Sequence, residues 1–301
     1  LAVPAARAGG LAKVEDFDIP GPGGQLRARY YEAANAVEAP LLVYIHGGGF
    51  VCCDIDTHDS ICSWLAKSSQ GRVLAISYRL APETRFPGQL EDVRAACAWA
   101  FQNAPHLGAT PEKIVVAGDS AGAYLAATAA LELNRMTPGS VPLQVLLYPL
   151  VHVRDSLWAD EELRNFRFLG RVAALYIARS LGAEALPSLL DVDLSAAPPT
   201  IIAGGGPMDP VRNDAKALVD ALRKVGVSVT GQPLAAGPLA PSEGDCVLAL
   251  RSNGSGDGDF VPLVDALPQR QLTMADRLAN GDTIATTLLT PRSSHASVMH
   301  E

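Results

Sequence analysis

One junction limits what this chain can fold into. The apolar run Ile114–Gly118 passes through Asp119-Ser120-Ala121-Gly122 directly into the helical stretch AYLAATAALEL. A buried strand that turns into a helix within so few residues needs a tight turn. Small residues on both sides of the serine let strand and helix approach without clash, which fits the G-x-S-x-G pattern of a strand–turn–helix elbow. A serine held there stands at a helix N-terminus, where the dipole favours negative charge. Without that context, a glycine-bracketed serine would be a weak signal.

The rest of the chain repeats the alternation. Leu41–His46, Val73–Ser77, Val145–Tyr148 and Thr200–Ala203 read as further buried strands, β-branched or aliphatic and closed by turn residues. Between them, Leu90, Val93, Cys97, Ala100 and Phe101 share one helical face, as do Leu218, Ala221, Leu222 and Val225. Alternating strands and helices predict an α/β fold with a mostly parallel central sheet flanked by helices. Function in such sheets collects beyond the carboxyl ends of the strands. Residues 154–190 interrupt the alternation with a helical composition that carries Trp158, Phe166, Phe168 and Tyr176. They form either a cap over the strand ends or an ordinary helical connection.

A second glycine-rich segment, His46-Gly47-Gly48-Gly49-Phe50, follows the strand LLVYI. Three glycines leave the backbone open to a ligand and can turn several N–H groups toward one oxygen. With the N–H of Ala121 they would form an oxyanion hole. A plain turn is the simpler alternative. A phosphate loop is disfavoured, since neither GxxxxGK[ST] nor GxGxxG occurs here. His46 is expected to hold the loop, and Asp119 to stabilise the turn, not to react.

These two segments, with Tyr78-Arg79-Leu80-Ala81-Pro82-Glu83, Phe86-Pro87 and Glu91-Asp92 in order between them, resemble the bacterial hormone-sensitive-lipase-like esterases. The resemblance runs from about Val14 to about Val229. It implies an α/β-hydrolase fold with a partial helical cap, the cap elements coming from the N-terminal segment and about 154–190 of a single domain spanning 1–301. It also implies hydrolysis of short- to medium-chain carboxylic esters without cofactor or metal. The nucleophile would be Ser120, and the oxyanion donors Gly48, Gly49 and Ala121. The family's catalytic acid falls on Asp209 in DPVRND, after the strand TIIAG, where it would orient a histidine and stabilise the imidazolium. A helix-capping role for an Asp before proline is the structural alternative, and Asp214 is the weaker candidate acid.

The family's base should lie near Leu239, in GQPLAAGPLAPS, and no histidine is there. After Asp209 the only histidines are His295 and His300. From about residue 231 the helix–strand rhythm fades, Phe260 is the sole aromatic, and SNGSGDGD (252–259) reads as a loop. Three readings follow: a folded-back tail supplying His295 or His300, a frameshifted tail 231–301, or a scaffold that binds without catalysing. Simultaneous loss of register, aromatics and final helix favours the second. A non-catalytic small-molecule binder is the competing function, and an amidase or peptidase would use the same residues.

Composition narrows the partners. The formal charge of −8 lacks the basic footprint of a nucleic-acid binder. No apolar stretch is long enough to span a bilayer, and the run Leu143–Val153 is only strand length. Five cysteines, with no CxxC pair, are expected as reduced thiols of a cytoplasmic protein. A small-molecule ester is the expected partner, with a homodimer left open. The chain opens on Leu1, so its natural start is expected upstream.

Overall fold

The computed structural model describes residues 7–36, 39–153, 176–182, 186–204, 211–230, 250–252 and 260–262. Eight strands form one sheet: β1 (Leu11–Gly21), β2 (Gly24–Ala33), β3 (Leu41–Ile45), β4 (Arg72–Ile76), β5 (Ile114–Asp119), β6 (Leu143–Leu147), β7 (Thr200–Ala203) and β8 (Val229–Thr230). Their order is β1-β2-β4-β3-β5-β6-β7-β8. β1 pairs antiparallel with β2, and β2 antiparallel with β4. From β4 to β8 every pairing is parallel. The mostly parallel α/β sheet expected from the alternation is therefore present, as an α/β-hydrolase fold.

Helices α1 (Asp59–Ser69), α2 (Gly88–Gln102), α3 (Ala121–Met136) and α4 (Arg212–Lys224) cover the two faces. Val43, Ile45, Leu74, Val116 and Leu146 pack with α2, α3 and α4 on one side. Leu42, Tyr44, Val73, Ala75, Val115 and Val145 pack with Cys62, Leu65 and Ala66 of α1 on the other. Coverage of both faces explains why β3, β4, β5 and β6 are buried at every position and read as unbroken apolar runs. On α2, Leu90, Val93, Cys97 and Ala100 are buried as expected. On α4, Leu218 and Leu222 are buried, but Val225 is 42% exposed. It lies one residue past Lys224, where the chain leaves the helix.

The edge hairpin β1–β2 is an element that the apolar runs do not announce. Most β1 side chains are exposed or half-buried. Inner β2 buries Leu26, Ala28, Tyr30 and Tyr31. Arg29 fastens the hairpin to α1 and the loop before it, contacting Asp16 (2.5 Å), Asp56 (2.7 Å) and Asp59 (3.0 Å).

Of the interrupting segment, residues 154–175 and 183–185 lie outside the described residues, and residues 176–181 are helical. Among the described residues of the atypical tail, β9 (Leu250–Ser252) pairs antiparallel with β10 (Phe260–Pro262); Ser252, the first residue of the expected loop, falls in β9, and 253–259 lie outside the described residues. No helix among the described residues is long and apolar enough to cross a membrane.

Candidate active site

Strand order places the site. From β3 the chain crosses through α1 to β4 on one side, whereas β5 lies on β3's other flank and continues through α3 to β6. The connections leave neighbouring strands β3 and β5 in opposite directions, over opposite faces. A crevice opens at such a switch point, beyond the carboxyl ends of the strands. The two glycine-rich segments are the loops at that crevice, since Ile45 of β3 lies in register with Gly118 of β5.

Ser120 occupies the turn between β5 and α3 with φ 51° and ψ −118°, strained for a residue with a side chain. Surrounding contacts hold it there. Its N–H donates to Leu147 O (2.9 Å), and its carbonyl accepts from Tyr124 N (3.2 Å) and Leu150 N (3.1 Å). Both bracketing glycines are required by space. A Cβ on Gly118 would lie 2.7 Å from Gly122 backbone atoms and from Ile45 O, and one on Gly122 would lie 2.2 Å from Ile45 O. Ala121, the first residue of α3, is fully buried.

The facing loop uses its glycines differently. Gly48 and Gly49 have φ of 110° and 61°, which residues with side chains rarely adopt. A Cβ on Gly49 would lie 2.9 Å from Ile177 Cδ1, so the 176–181 helix rests on this loop. That helix is also joined to the body by Phe86 N–H, which donates to Leu181 O (3.3 Å).

Asp119 is the hub between the two loops. Buried, it accepts from Tyr44 Oη (2.9 Å), Gly47 N (2.9 Å) and Tyr148 Oη (3.3 Å). His58 Nε2 lies 3.3 Å from one of its oxygens and 3.4 Å from the other. Burial alone would raise the Asp119 pKa, but the charge of His58 and hydrogen bonds from His58 and Tyr44 carry it below the usual carboxylate value. Burial alone would likewise lower His58, and the Asp119 carboxylate overcomes this to bring it up to about 9. The expected turn-stabilising Asp119 therefore comes with a cationic partner that the sequence reading missed. Its only local signal is a histidine heading α1 in Asp54-Ile55-Asp56-Thr57-His58-Asp59.

His46 behaves as a loop-holding residue. It stacks on Tyr78 (centroids 4.3 Å, 12° between planes), and Tyr78 Oη donates to His46 O (2.9 Å). His46 Nδ1 lies 2.7 Å from Gly47 O, which fixes it as a donor; Nε2 is buried with no hydrogen-bond partner among the described residues. Burial pushes its pKa down to about 4, so the ring is neutral. The Tyr78-Arg79 and Glu91-Asp92 segments join the same scaffold. Arg79 donates through Nε (2.8 Å) and Nη2 (2.8 Å) to the fully buried Asp92, and its backbone N–H does so at 2.9 Å.

The candidate acids and bases divide. Asp209, His295 and His300 lie outside the described residues. Asp214 is buried in the first turn of α4 and accepts from Val151 N (2.9 Å), tying that helix to the loop after β6. Among the described residues, no group of three or more His, Cys, Asp or Glu could hold a metal ion. Cys52, Cys53, Cys62 and Cys97 carry free thiols.

A protein family described as having an alpha/beta hydrolase fold matches residues 42–237. The carboxylic ester hydrolase LipN of Mycobacterium tuberculosis is 37% identical over 229 residues, covering 72% of this chain but only 61% of LipN. Esterase LipI of the same organism is 33% identical over 234 residues, covering 72% of this chain and 71% of LipI. Among solved structures, an esterase of the archaeon Pyrobaculum calidifontis superposes with TM-score 0.67 and 34% identity, over 73% of this chain and 75% of its own. A thermostable carboxylesterase from a metagenomic library gives 0.68 and 32%, over 77% and 81%. The family match closes at residue 237, so the region expected to depart, from about residue 231, falls almost wholly beyond it.

Proposed function

The chain belongs to the α/β-hydrolase family, on its hormone-sensitive-lipase-like esterase branch, and we propose that it is a serine carboxylesterase acting on short- to medium-chain esters. The observation that carries this reading is the strained Ser120 at the head of α3, wedged through Gly118 and Gly122 against the backbone that leads into Gly48 and Gly49. Ser120 Oγ attacks the ester carbonyl carbon. The N–H groups of Gly48, Gly49 and Ala121 receive the oxyanion that develops, each such donor being worth roughly 3 kcal/mol of barrier. Asp209 orients a histidine that takes the Ser120 proton and returns it to the leaving alcohol, and water then cleaves the acyl-enzyme. His295 or His300, from the tail, would be that histidine; the frameshifted tail that the sequence favours would leave the role unfilled. The neighbouring Asp119 stays with Gly47 and His58 and holds the two loops in register. Residues 154–190 act as the cap that sets acyl preference, with Ile177 against Gly49 as the described contact on the glycine loop.

A second reading is favoured by one observation: no histidine occurs between Asp209 and His295. On that reading the same crevice binds an ester-like small molecule and turns it over faintly or not at all, because an unassisted serine hydroxyl is a weak nucleophile.

Hydrolysis of p-nitrophenyl butyrate by residues 1–301, beside Ser120→Ala, separates the two. Turnover that falls by at least about a thousandfold in the variant supports the esterase. Equal, near-background rates in both proteins would remove it and leave the binder. If turnover is found, loss of it in His295→Ala assigns the base.

A further inference from the structure

Cys52 and Cys53 follow the glycine loop directly, and the chemistry proposed above makes no use of them. Cys62 and Cys97 are buried, whereas Cys52 is exposed and Cys53 half-buried. The two adjacent sulfurs lie 3.8 Å apart. Both groups of Cys52 that can donate reach one acceptor: its N–H is 3.1 Å, and its Sγ 3.2 Å, from Gly48 O. Cys53 is held at φ 71°. The peptide joining the cysteines packs on Gly48 itself, where an added Cβ would lie 2.1 Å from Cys52 O and 2.8 Å from Cys52 C. An accessible dithiol therefore buttresses the residue assigned to the oxyanion hole. The S–H of Cys53, donated to its neighbour, holds Cys52 below the usual thiol value, so Cys52 is the sulfur of the pair that gives up its proton more readily.

We propose that Cys52 and Cys53 are a thiol-modification site that low-molecular-weight disulfides close to a vicinal disulfide, and that closure displaces Gly48 within the glycine loop. Cys52 loses its proton, and the thiolate attacks one sulfur of the disulfide RSSR; the S–S bond breaks, and RS⁻ leaves and takes up a proton. Cys53 then loses its proton and attacks the Cys52 sulfur, expelling the second RS⁻, which is protonated in turn. Two protein thiols are oxidised, and one external disulfide is reduced to two thiols.

Geometry makes the product both strained and coupled to the loop. Consecutive Cα atoms across a trans peptide are about 3.8 Å apart, shorter than the roughly 4.4–6.8 Å that a relaxed disulfide takes. Such a bond is easily reduced and suits a reversible site. Bringing the sulfurs from 3.8 Å to bonding distance requires rotation of the 52–53 backbone, and the carbonyl that rotates is the one pressed on Gly48. The effect on turnover rests on the esterase reading; the disulfide and the loop movement do not.

The test uses residues 1–301 carrying Cys246→Ser, treated with oxidised glutathione and then freed of it. Three quantities are read: the mass of the peptide spanning 52–53, amide-hydrogen exchange over 46–52, and p-nitrophenyl butyrate hydrolysis. The expected result is loss of two hydrogens from that peptide, faster exchange at 46–52, and a fall in hydrolysis of about a hundredfold. Dithiothreitol should reverse all three, and Cys53→Ser should stop at the glutathione adduct. Unchanged thiols, a persistent glutathione adduct with both cysteines present, or a disulfide that leaves exchange and hydrolysis as they were would each overturn the proposal. A reduced protein that hydrolyses no ester refutes the esterase reading instead, and the mass and exchange measurements still decide this one.

Discussion

Gly122→Ala tests the wedge between the two loops most directly. The added Cβ would lie 2.2 Å from Ile45 O, 2.4 Å from His46 O and 2.6 Å from His46 C. All three are backbone atoms, so no side chain can swing away. Restoring ordinary contact requires α3 and the end of β3 to separate by about 1 Å. The geometry relating Ser120 to Gly48 and Gly49 crosses that gap. A displacement of this size costs roughly a hundredfold in rate where reacting groups must be aligned. Overpacking would also destabilise the fold by about 1–3 kcal/mol, partly offset by the roughly 1 kcal/mol by which alanine is the better helix former. The assay is kcat for a p-nitrophenyl ester together with a urea unfolding midpoint. Gly9→Ala serves as control, because nothing lies within 4 Å of its added Cβ. Wild-type kcat and an unchanged midpoint in Gly122→Ala would refute the argument that the two loops are held at fixed separation by contact through Gly122.

Two further expectations follow from buried charge. His58 is raised to about 9, above its unfolded value of about 6.5, so its contribution to stability is complete below about pH 6.5 and is lost as pH rises through about 9. Unfolding free energy measured from pH 6 to pH 10 should fall across that window, and His58→Gln should flatten the fall; an identical slope in both proteins would show that the pair with Asp119 is not linked to folding. Arg79→Ala leaves the fully buried Asp92 without its two-pronged partner and should cost about 3 kcal/mol in urea unfolding, whereas a loss below about 1 kcal/mol would mean water enters and replaces the guanidinium.

The inner strands were legible because their burial is uniform. β3, β4, β5 and β6 are covered on both faces, so each appears as an apolar run, and the expected boundaries differ from the observed ones by a few residues at most. The edge hairpin was less visible for the opposite reason: β1 exposes much of its length, and its signal is the turn-rich Gly21-Pro22-Gly23-Gly24. Ser120 and the glycines of both loops could be picked out because their constraints are local, imposed by a turn or a close approach. His58 could not, since its partner Asp119 is far away in sequence and only the β3–β5 switch brings them together. Arg29 is similar, since the acids it gathers come from β1, the loop before α1 and α1 itself.

Leu189 N–H donates to Val151 O at 2.9 Å, and Leu150 N–H to Ser120 O at 3.1 Å. The chain positions on either side of residues 152–188 are therefore hydrogen-bonded to each other, one residue from the contact with Ser120. Closing a loop grows costlier only with the logarithm of its length, about 0.6 kcal/mol per doubling. Between its tied ends the segment can change in length at small entropic cost, provided the contacts of Ile177, Leu181 and Pro187 with the body are kept. Anchored at its two ends, it is a point where a segment could be exchanged, with the contact of Ile177 on Gly49 as the feature to be kept.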